Sequence, residues 1–108
     1  MTRILIPAAL AALALPIACG AASAAGPDPA ALRARNHAAA CTNCHGPEGR
    51  PPAGSPIPAL AGRPQSELVS QMQAFKAGTR QATVMHQIAK GYSDDQITAI
   101  AAWFAAVR

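Results

Sequence analysis

Aromatic residues are scarce in this sequence. The 108 residues include one tryptophan, one tyrosine and two phenylalanines, which is 4% of the chain. Small domains bury a smaller fraction of their surface than large ones, and many depend on disulfides, a metal or a cofactor for stability. The shortage of large side chains therefore indicates that the polypeptide alone does not fill its core.

Charged residues are also few, and neither sign is concentrated in one segment. Nine lysines and arginines stand against five aspartates and glutamates, a formal net charge of +4. Nucleic-acid-binding domains usually show a basic patch or run, often with aromatic side chains on which bases stack. The chain has neither feature, so nucleic acid is not an expected partner.

No apolar run in the sequence has the length of a membrane span, which requires about 20 residues. An apolar stretch over residues 4–15 follows Arg3 and precedes Ala22-Ser23-Ala24, a pattern that signal peptidases recognise. We therefore predict a signal peptide over residues 1–24, no transmembrane segment, and a mature domain of residues 25–108 in the periplasm.

One of the three cysteines falls in the predicted signal peptide. This is Cys19, and its loss leaves Cys41 and Cys44 as the only pair in the mature chain. The sequence Pro16-Ile17-Ala18-Cys19 loosely resembles a lipobox, in which the cysteine would carry a lipid. Because proline fits the first position poorly, a lipid anchor at Cys19 is the alternative to release in soluble form.

Helical periodicity runs through the mature sequence, and no segment alternates as a strand would. Asp28 and Pro29 are typical of a helix start, and residues 30–40 should be helical up to Cys41. Residues 46–64 are rich in glycine and proline and should form a loop. The expected fold class is all-α, with three to five short helices.

Three of these helices are expected in the second half of the chain. Ser66 is a candidate N-cap for the first, which should end at Gly78, and a short helix is expected over residues 81–90. The capping box Ser93-Asp94-Asp95-Gln96 should begin the last helix. The apolar face of that helix is formed by Ile97, Ile100, Ala101 and Phe104.

The segment Cys41-Thr42-Asn43-Cys44-His45 is the signature of covalent haem attachment. Two thiols separated by two residues can form thioethers with the two vinyl groups on one edge of a porphyrin, and the adjacent histidine can then bind the iron. Covalent attachment also keeps the cofactor in a small, open pocket. The sequence therefore predicts one covalently bound haem c, held by Cys41 and Cys44, with His45 as an iron ligand.

Other classes of protein use a Cys-x-x-Cys pair differently. A thioredoxin-like dithiol requires strands and a βαβ context, which the pattern does not predict. A zinc site needs a fourth donor and usually a second pair of ligands. A disulfide between Cys41 and Cys44 would be sterically awkward in a helix and would leave His45 without a role.

The iron of an electron carrier generally has a second axial ligand, and methionine in that position raises the reduction potential. Met72 lies in the apolar stripe of its helix, where methionine usually fills the core. Met85 lies between the helix breaks at Gly78 and Gly91, in a segment that can cross the open face of the haem. Met85 is therefore the preferred ligand.

The two remaining histidines are weaker ligand candidates. Adjacent side chains point in different directions on a helix, so His86 should not share the orientation of Met85 and is expected at the surface. His37 precedes the motif by four residues and is expected to pack on the first helix.

Four segments of the chain, 41–46, 57–62, 75–78 and 85–94, carry a family resemblance. They are similar to class I cytochromes c, especially to the cytochrome subunit of flavocytochrome c sulfide dehydrogenase and to the cytochrome c4 and c553 groups. The resemblance implies the cytochrome c fold, in which short helices wrap around one haem.

The same resemblance assigns roles to individual residues. The methionine before the Ile-Ala-Lys-Gly-Tyr element is the distal iron ligand of that family, and it corresponds to Met85. The resemblance also implies that the carbonyl of Pro58 lies near the imidazole of His45 and orients it. Arg33 and His37 stand where a small residue and an aromatic are common, so the contact between the first and last helices should depart from the family pattern.

These features predict outer-sphere electron transfer with both axial ligands retained and no substrate bound to the metal. A redox protein partner would dock over a small, transient interface at the exposed haem edge. We predict the haem subunit of a sulfide-oxidising flavocytochrome c, which requires a flavoprotein partner, or alternatively a freely diffusing carrier between respiratory or photosynthetic complexes. A gas-binding or peroxidatic haem is disfavoured while Met85 is available as a ligand.

Overall fold

The computed structural model describes residues 26–108, so the predicted signal peptide and Cys19 lie outside the described residues. The elements in chain order are α1 (Pro29–Ala39), α2 (Thr42–His45), a 3-10 turn (Pro47–Gly49), α3 (Gln65–Ala77), α4 (Met85–Lys90) and α5 (Asp94–Ala106). Residues 26–108 contain no strand, and the prediction of an all-α fold is confirmed. No helix in this part of the chain is both long enough and apolar enough to cross a membrane.

The first helix begins as its sequence predicts. The side chain of Asp28 accepts a hydrogen bond of 3.0 Å from the backbone N–H of Ala30, and Pro29 occupies the first helical position. Proline is suited to this position because its fixed φ is helical and its missing N–H would have no helical partner. Helix α1 ends at Ala39, and Cys41 then caps the separate single turn of α2.

The predicted N-cap of α3 at Ser66 is wrong. The helix begins at Gln65 with Pro64 as its N-cap residue, and no side chain caps it. The carbonyl of Pro64 accepts hydrogen bonds from the N–H groups of Glu67 and Leu68, so the helical pattern starts before the Ser66 side chain can act as a cap. The predicted end is correct, because Gly78 closes the helix in the left-handed conformation at φ +76°.

The predicted helix over residues 81–90 is shorter than expected. Only Met85–Lys90 is helical, and the preceding residue, Val84, has an extended φ of −139°. Thr83 and Val84 are β-branched, and such residues lose side-chain freedom in a helix. The segment before α4 is therefore left as irregular chain.

Helix α5 forms as predicted and supplies most of the core. Its capping box is reciprocal: Ser93 Oγ accepts from the N–H of Gln96 at 3.2 Å, and Gln96 Oε1 accepts from the N–H of Ser93 at 2.9 Å. The four predicted apolar positions of α5 are all buried. The main buried cluster consists of Ala38 from α1, Leu68 from α3, and Ile100, Ala101 and Phe104 from α5.

The contact between α1 and α5 is made through a small residue that the sequence analysis did not single out. Ala38 has none of its surface exposed and belongs to the same buried cluster as Ala101 and Phe104. Arg33 is exposed, and His37 is half-buried. An alanine on each helix permits the close approach that a larger side chain would prevent.

An ion pair connects the end of α3 to the start of α5. Lys76 Nζ lies 2.8 Å from the carbonyl oxygen of Tyr92 and 2.8 Å from Asp94 Oδ1. The hydrogen bond from Lys76, and next that from Gln73, lower the pKa of the Asp94 carboxyl. A lowered folded-state pKa stabilises the fold above the unfolded-state pKa, and this contribution is lost as the pH falls through the folded-state value.

The turn after α2 depends on a glycine that faces the core. Gly49 has a φ of +77°, and a Cβ atom built there would lie 2.8 Å from Phe104 Cδ1 and 3.0 Å from Leu60 Cβ. Its carbonyl also accepts a hydrogen bond of 2.8 Å from the N–H of Leu60. Gly49 therefore allows the backbone to pack directly on the ring of Phe104.

We expect Gly49→Ala to lower the free energy of unfolding by about 2–5 kcal/mol, because a positive φ costs about 1–2 kcal/mol and overpacking costs about 1–3 kcal/mol. Gly54→Ala is the matched control, since Gly54 also has a positive φ but has no atom within 4 Å of its Cβ position. Denaturant unfolding of both variants measures the difference. Equal losses in the two variants would contradict the steric role of Phe104.

Candidate functional site

A cavity of about 520 Å³ lies beside the buried cluster. Its volume falls within the range of about 300–1,000 Å³ that is typical of small-molecule and cofactor sites. Helices α2, α3, α4 and α5 and the loops between them all contribute to its walls. The buried residues Leu68, Ile100, Ala101 and Phe104 belong both to the core and to this cavity.

The predicted motif forms one wall of the cavity. The N–H of His45 donates to the carbonyl oxygen of Cys41 at 2.9 Å, which closes one helical turn. Residues three and four apart lie on the same face of a helix, so this turn directs Cys41, Cys44 and His45 to one side. All three line the cavity.

Both cysteines of the motif are free thiols. Cys44 is exposed, whereas Cys41 is half-buried. Burial is the main cause that raises the pKa of the Cys41 thiol, and the nearby Cys44 adds to the effect. Cys41 is therefore protonated at neutral pH.

The imidazole of His45 is held by a single backbone carbonyl. His45 is 8% exposed, and its Nδ1 lies 2.7 Å from the carbonyl oxygen of Pro58. A carbonyl oxygen can only accept a hydrogen bond, so Nδ1 is the donor in this contact and Nε2 takes no part in it. Ligating histidines in proteins generally have this arrangement, in which the second nitrogen donates to a backbone or carboxylate oxygen.

Gly46 makes the turn that follows His45. It has a φ of +80° and a ψ of 165°, a combination that is essentially restricted to glycine. A Cβ atom at this position would lie 2.2 Å from the carbonyl oxygen of Arg50. The chain can therefore fold back against Arg50 immediately after the motif only because residue 46 lacks a side chain.

Both candidate methionines line the cavity. Met72 lies in the middle of α3, on the same stripe as Leu68 and Phe75, whereas Met85 is the first residue of α4. Every residue from Arg80 to Met85 lines the cavity, so this irregular segment runs along its wall. Met85 is thus presented by a segment that follows the cavity rather than by a regular helix face.

The remaining histidines lie elsewhere. Within the described chain, His45 is the only histidine that lines the cavity. His37 and His86 are both half-buried, which for His86 is deeper than the surface position expected from the sequence. In residues 26–108 no three His, Cys, Asp or Glu side chains are grouped so as to hold a metal ion.

The structure adds polar residues to the cavity that the sequence analysis did not identify. Arg80, Gln71 and Tyr92 all line it. Burial, and next the charge of Cys41, raise the pKa of the Tyr92 phenol, so this group is neutral at physiological pH. No local motif marks these positions, because they meet only where α3, the segment before α4 and the start of α5 come together.

Comparison with known proteins identifies relatives of this domain. A family model described as cytochrome c matches residues 31–107. A solved structure of cytochrome c4 from Acidithiobacillus ferrooxidans has a TM-score of 0.62 and 31% sequence identity to this chain, and the match covers 69% of this chain and 50% of that one. The helical architecture is therefore shared with a solved cytochrome.

Three proteins of similar sequence are named as cytochromes or as an electron acceptor. Cytochrome c4 of Pseudomonas aeruginosa is 42% identical over 86 residues, which cover 80% of this chain and 41% of that protein. The cytochrome subunit of sulfide dehydrogenase from Chlorobaculum tepidum is 38% identical over 64 residues, 59% of this chain and 56% of that protein. The thiosulfate dehydrogenase electron acceptor of Stutzerimonas stutzeri is 40% identical over 70 residues, 62% of this chain and 32% of that protein. The matches thus span between about a third and just over half of these relatives.

Proposed function

The chain belongs to the cytochrome c family, and we propose that it is an exported electron-transfer protein with one haem c attached through Cys41 and Cys44. Family membership implies a covalently bound haem c. The sequence contains a single Cys-x-x-Cys-His motif, which supports one haem per chain. The observation that carries the proposal is that both thiols, the oriented imidazole of His45 and Met85 line one cavity.

The residues of the cavity fit such a haem. Two free thiols and an imidazole with an available Nε2 lie on one face of α2. The remaining walls are mainly apolar, as a porphyrin requires. When bound, the haem supplies an iron that alternates between the ferrous and ferric forms.

The protein residues would hold the iron and tune its potential. His45 would be the proximal ligand through Nε2, and the carbonyl of Pro58 would fix the orientation of its ring and increase its basicity. Met85 would be the distal ligand, and a thioether in this position raises the reduction potential. With His45 and Met85 both holding the iron, no position on the metal would remain for a substrate.

Three exposed apolar side chains surround the cavity and would form the docking face for a redox partner. Ile57, Val84 and Ile88 are 37%, 50% and 37% exposed, and all three line the cavity. Electron-transfer complexes are generally small and short-lived, and a modest apolar patch provides such an interface. We call Ile57, Val84 and Ile88 the apolar rim.

The leader sequence supports export. Arg3, the apolar stretch and Ala22-Ser23-Ala24 are the three parts of a signal peptide, and we propose cleavage before Ala25 and residence in the periplasm. Covalent haem also suits an exported protein, because the cofactor cannot be lost to the surroundings.

The proposal also includes the kind of redox partner. We propose that this domain is the haem subunit of a sulfide-oxidising flavocytochrome c. The support is the similarity to the cytochrome subunit of sulfide dehydrogenase, which extends over 56% of that protein. The alternative is a freely diffusing carrier, supported by the similarity to cytochrome c4, which extends over 80% of this chain.

The mass of the native protein tests the proposal. Produced in a host that matures c-type cytochromes, the protein should have the mass of residues 25–108 plus one haem, retained after denaturation. Cys41→Ala combined with Cys44→Ala should abolish the added mass, whereas Cys19→Ala should leave it unchanged. A colourless wild-type chain without added mass would contradict the proposal, and a diacylglyceryl mass on Cys19 would contradict soluble release.

The distal ligand is tested by a pair of methionine variants. Met85→Ala should lose the weak near-red absorption band that marks methionine coordination to ferric haem, because no other thioether would reach the iron. Met72→Ala should retain the band. Because Met72 is half-buried at the cavity wall, its loss of stability should stay below the about 2–5 kcal/mol of a fully buried methionine truncation. Loss of the band in Met72→Ala alone would reverse the assignment.

Partner docking is tested on the apolar rim. We expect a flavin-containing protein to co-purify with the native chain, whereas a strictly monomeric native protein would favour the freely diffusing carrier.

Ile57→Asp should weaken docking by roughly fivefold, the effect of losing about 1 kcal/mol at an interface. Leu32→Asp is the matched control, because Leu32 is 41% exposed on α1 and does not line the cavity. Equal effects of the two variants on the rate of electron transfer to the partner would argue against the rim.

A further inference from the structure

The segment that carries Met85 has few polar contacts with the rest of the fold. Within the described chain, residues 81–91 form hydrogen bonds only among themselves and with Tyr92. Met85 is the first residue of α4, and no side chain caps that helix. A helix of six residues is too short to be stable by itself. The position of Met85 therefore depends on the groups that hold the two ends of this segment.

One carbonyl in the last turn of α3 holds the beginning of the segment. The carbonyl oxygen of Ala74 accepts hydrogen bonds from the backbone N–H of Thr79 at 3.0 Å and from that of Arg80 at 3.2 Å. The hydroxyl of Thr79 donates to the same oxygen at 3.2 Å. The chain is thus fixed against α3 up to Arg80, where the irregular path begins.

Lys76 holds the other end of the segment. This residue also lies in the last turn of α3, and its Nζ lies 2.8 Å from the carbonyl oxygen of Tyr92 and 2.8 Å from Asp94 Oδ1. Among residues 26–108, no other group donates a hydrogen bond to the Tyr92 carbonyl. Hydrogen bonds from an ionised donor are stronger than those between neutral groups. One turn of α3 therefore anchors both ends of the chain that carries Met85.

Helix α4 connects the end held by Lys76 to Met85. Tyr92 lies two residues after α4, and Ala89, the only buried residue of this helix, lies near the same end. Six residues of α-helix span only about 9 Å, so the helix moves as one rigid body. A shift of the chain at Tyr92 is therefore passed on to Met85 at the opposite end of the helix.

We propose that Lys76 is a positioning residue for the distal iron ligand, because it closes the segment 77–92 at its base and so keeps Met85 at the cavity wall. The inference rests on the proposed function, in which Met85 binds the iron. Without the ammonium group, the end of α4 loses its polar contact with α3, and the thioether leaves the iron more often.

The experiment measures how easily imidazole displaces Met85 in the ferric holoprotein. Imidazole binds the iron only after the thioether has left, so its apparent affinity increases with the fraction of molecules in which Met85 is displaced. Lys76→Met keeps an unbranched side chain but removes its charge and its donors. The apparent affinity should rise about tenfold in this variant, the effect of losing a charged hydrogen bond on a partly exposed group. Lys76→Arg retains the charge and the donors and should stay close to the wild type.

Arg63→Met is the matched control. Arg63 forms an ion pair with Glu67 at the start of α3, and its side chain is 28% exposed, compared with 31% for Lys76. Neither member of that pair forms a hydrogen bond with residues 77–92. The control therefore removes an ion pair of the same helix and should retain the wild-type affinity for imidazole.

Each other outcome has a defined meaning. A wild-type affinity for imidazole in Lys76→Met overturns the inference, and where that variant does not mature, a wild-type affinity in Lys76→Gln does so alone. An equal rise in Arg63→Met also overturns it, because a general loss of stability would then explain the effect. A wild-type protein that lacks haem or the near-red band contradicts the proposed function, and the inference fails with it. A wild-type band together with unaffected Lys76 variants contradicts the inference alone.

Discussion

The hydrogen bond between His45 Nδ1 and the carbonyl oxygen of Pro58 is the interaction on which the site depends. It joins α2 to a residue 13 positions later, at a distance of 2.7 Å. The intervening chain can return to the imidazole because Gly46 and Gly49 adopt positive φ values where a Cβ atom would collide with Arg50 and Phe104 respectively. The donor nitrogen of the ring is thereby fixed, and the contact leaves the other nitrogen unoccupied.

The core and the site are not separate in this domain. Leu68, Ile100, Ala101 and Phe104 belong to the main buried cluster and also line the cavity. A haem in that position would complete the packing that the polypeptide leaves open. The haem would thereby supply the large apolar surface that a chain with only 4% aromatic residues lacks.

Two cations that are close in sequence, Lys76 and Arg80, have different surroundings in the structure. Lys76 and Asp94 form an ion pair that fastens the end of α3 to the start of α5, outside the cavity. Arg80, only four residues after Lys76, lies over the Phe75 ring and lines the cavity without an acidic partner. The left-handed Gly78 between them ends the helix and redirects the chain, so Lys76 joins two helices whereas Arg80 lies at the cavity wall.

The sequence by itself determined the features that depend on short separations along the chain. The Cys-x-x-Cys-His motif, the Asp28 cap, the capping box at Ser93 and the apolar face of α5 are all set by neighbours within one or two helical turns. Only the tertiary structure decided the start of α3 at Gln65, the irregular path of residues 81–84, the burial of Ala38 and the position of Arg80. The family resemblance led us to expect the contact of Pro58 with His45, but its distance and the resulting tautomer came from the structure. These features depend on residues distant in sequence, whose packing and hydrogen bonds outweigh local preference once the helices come together.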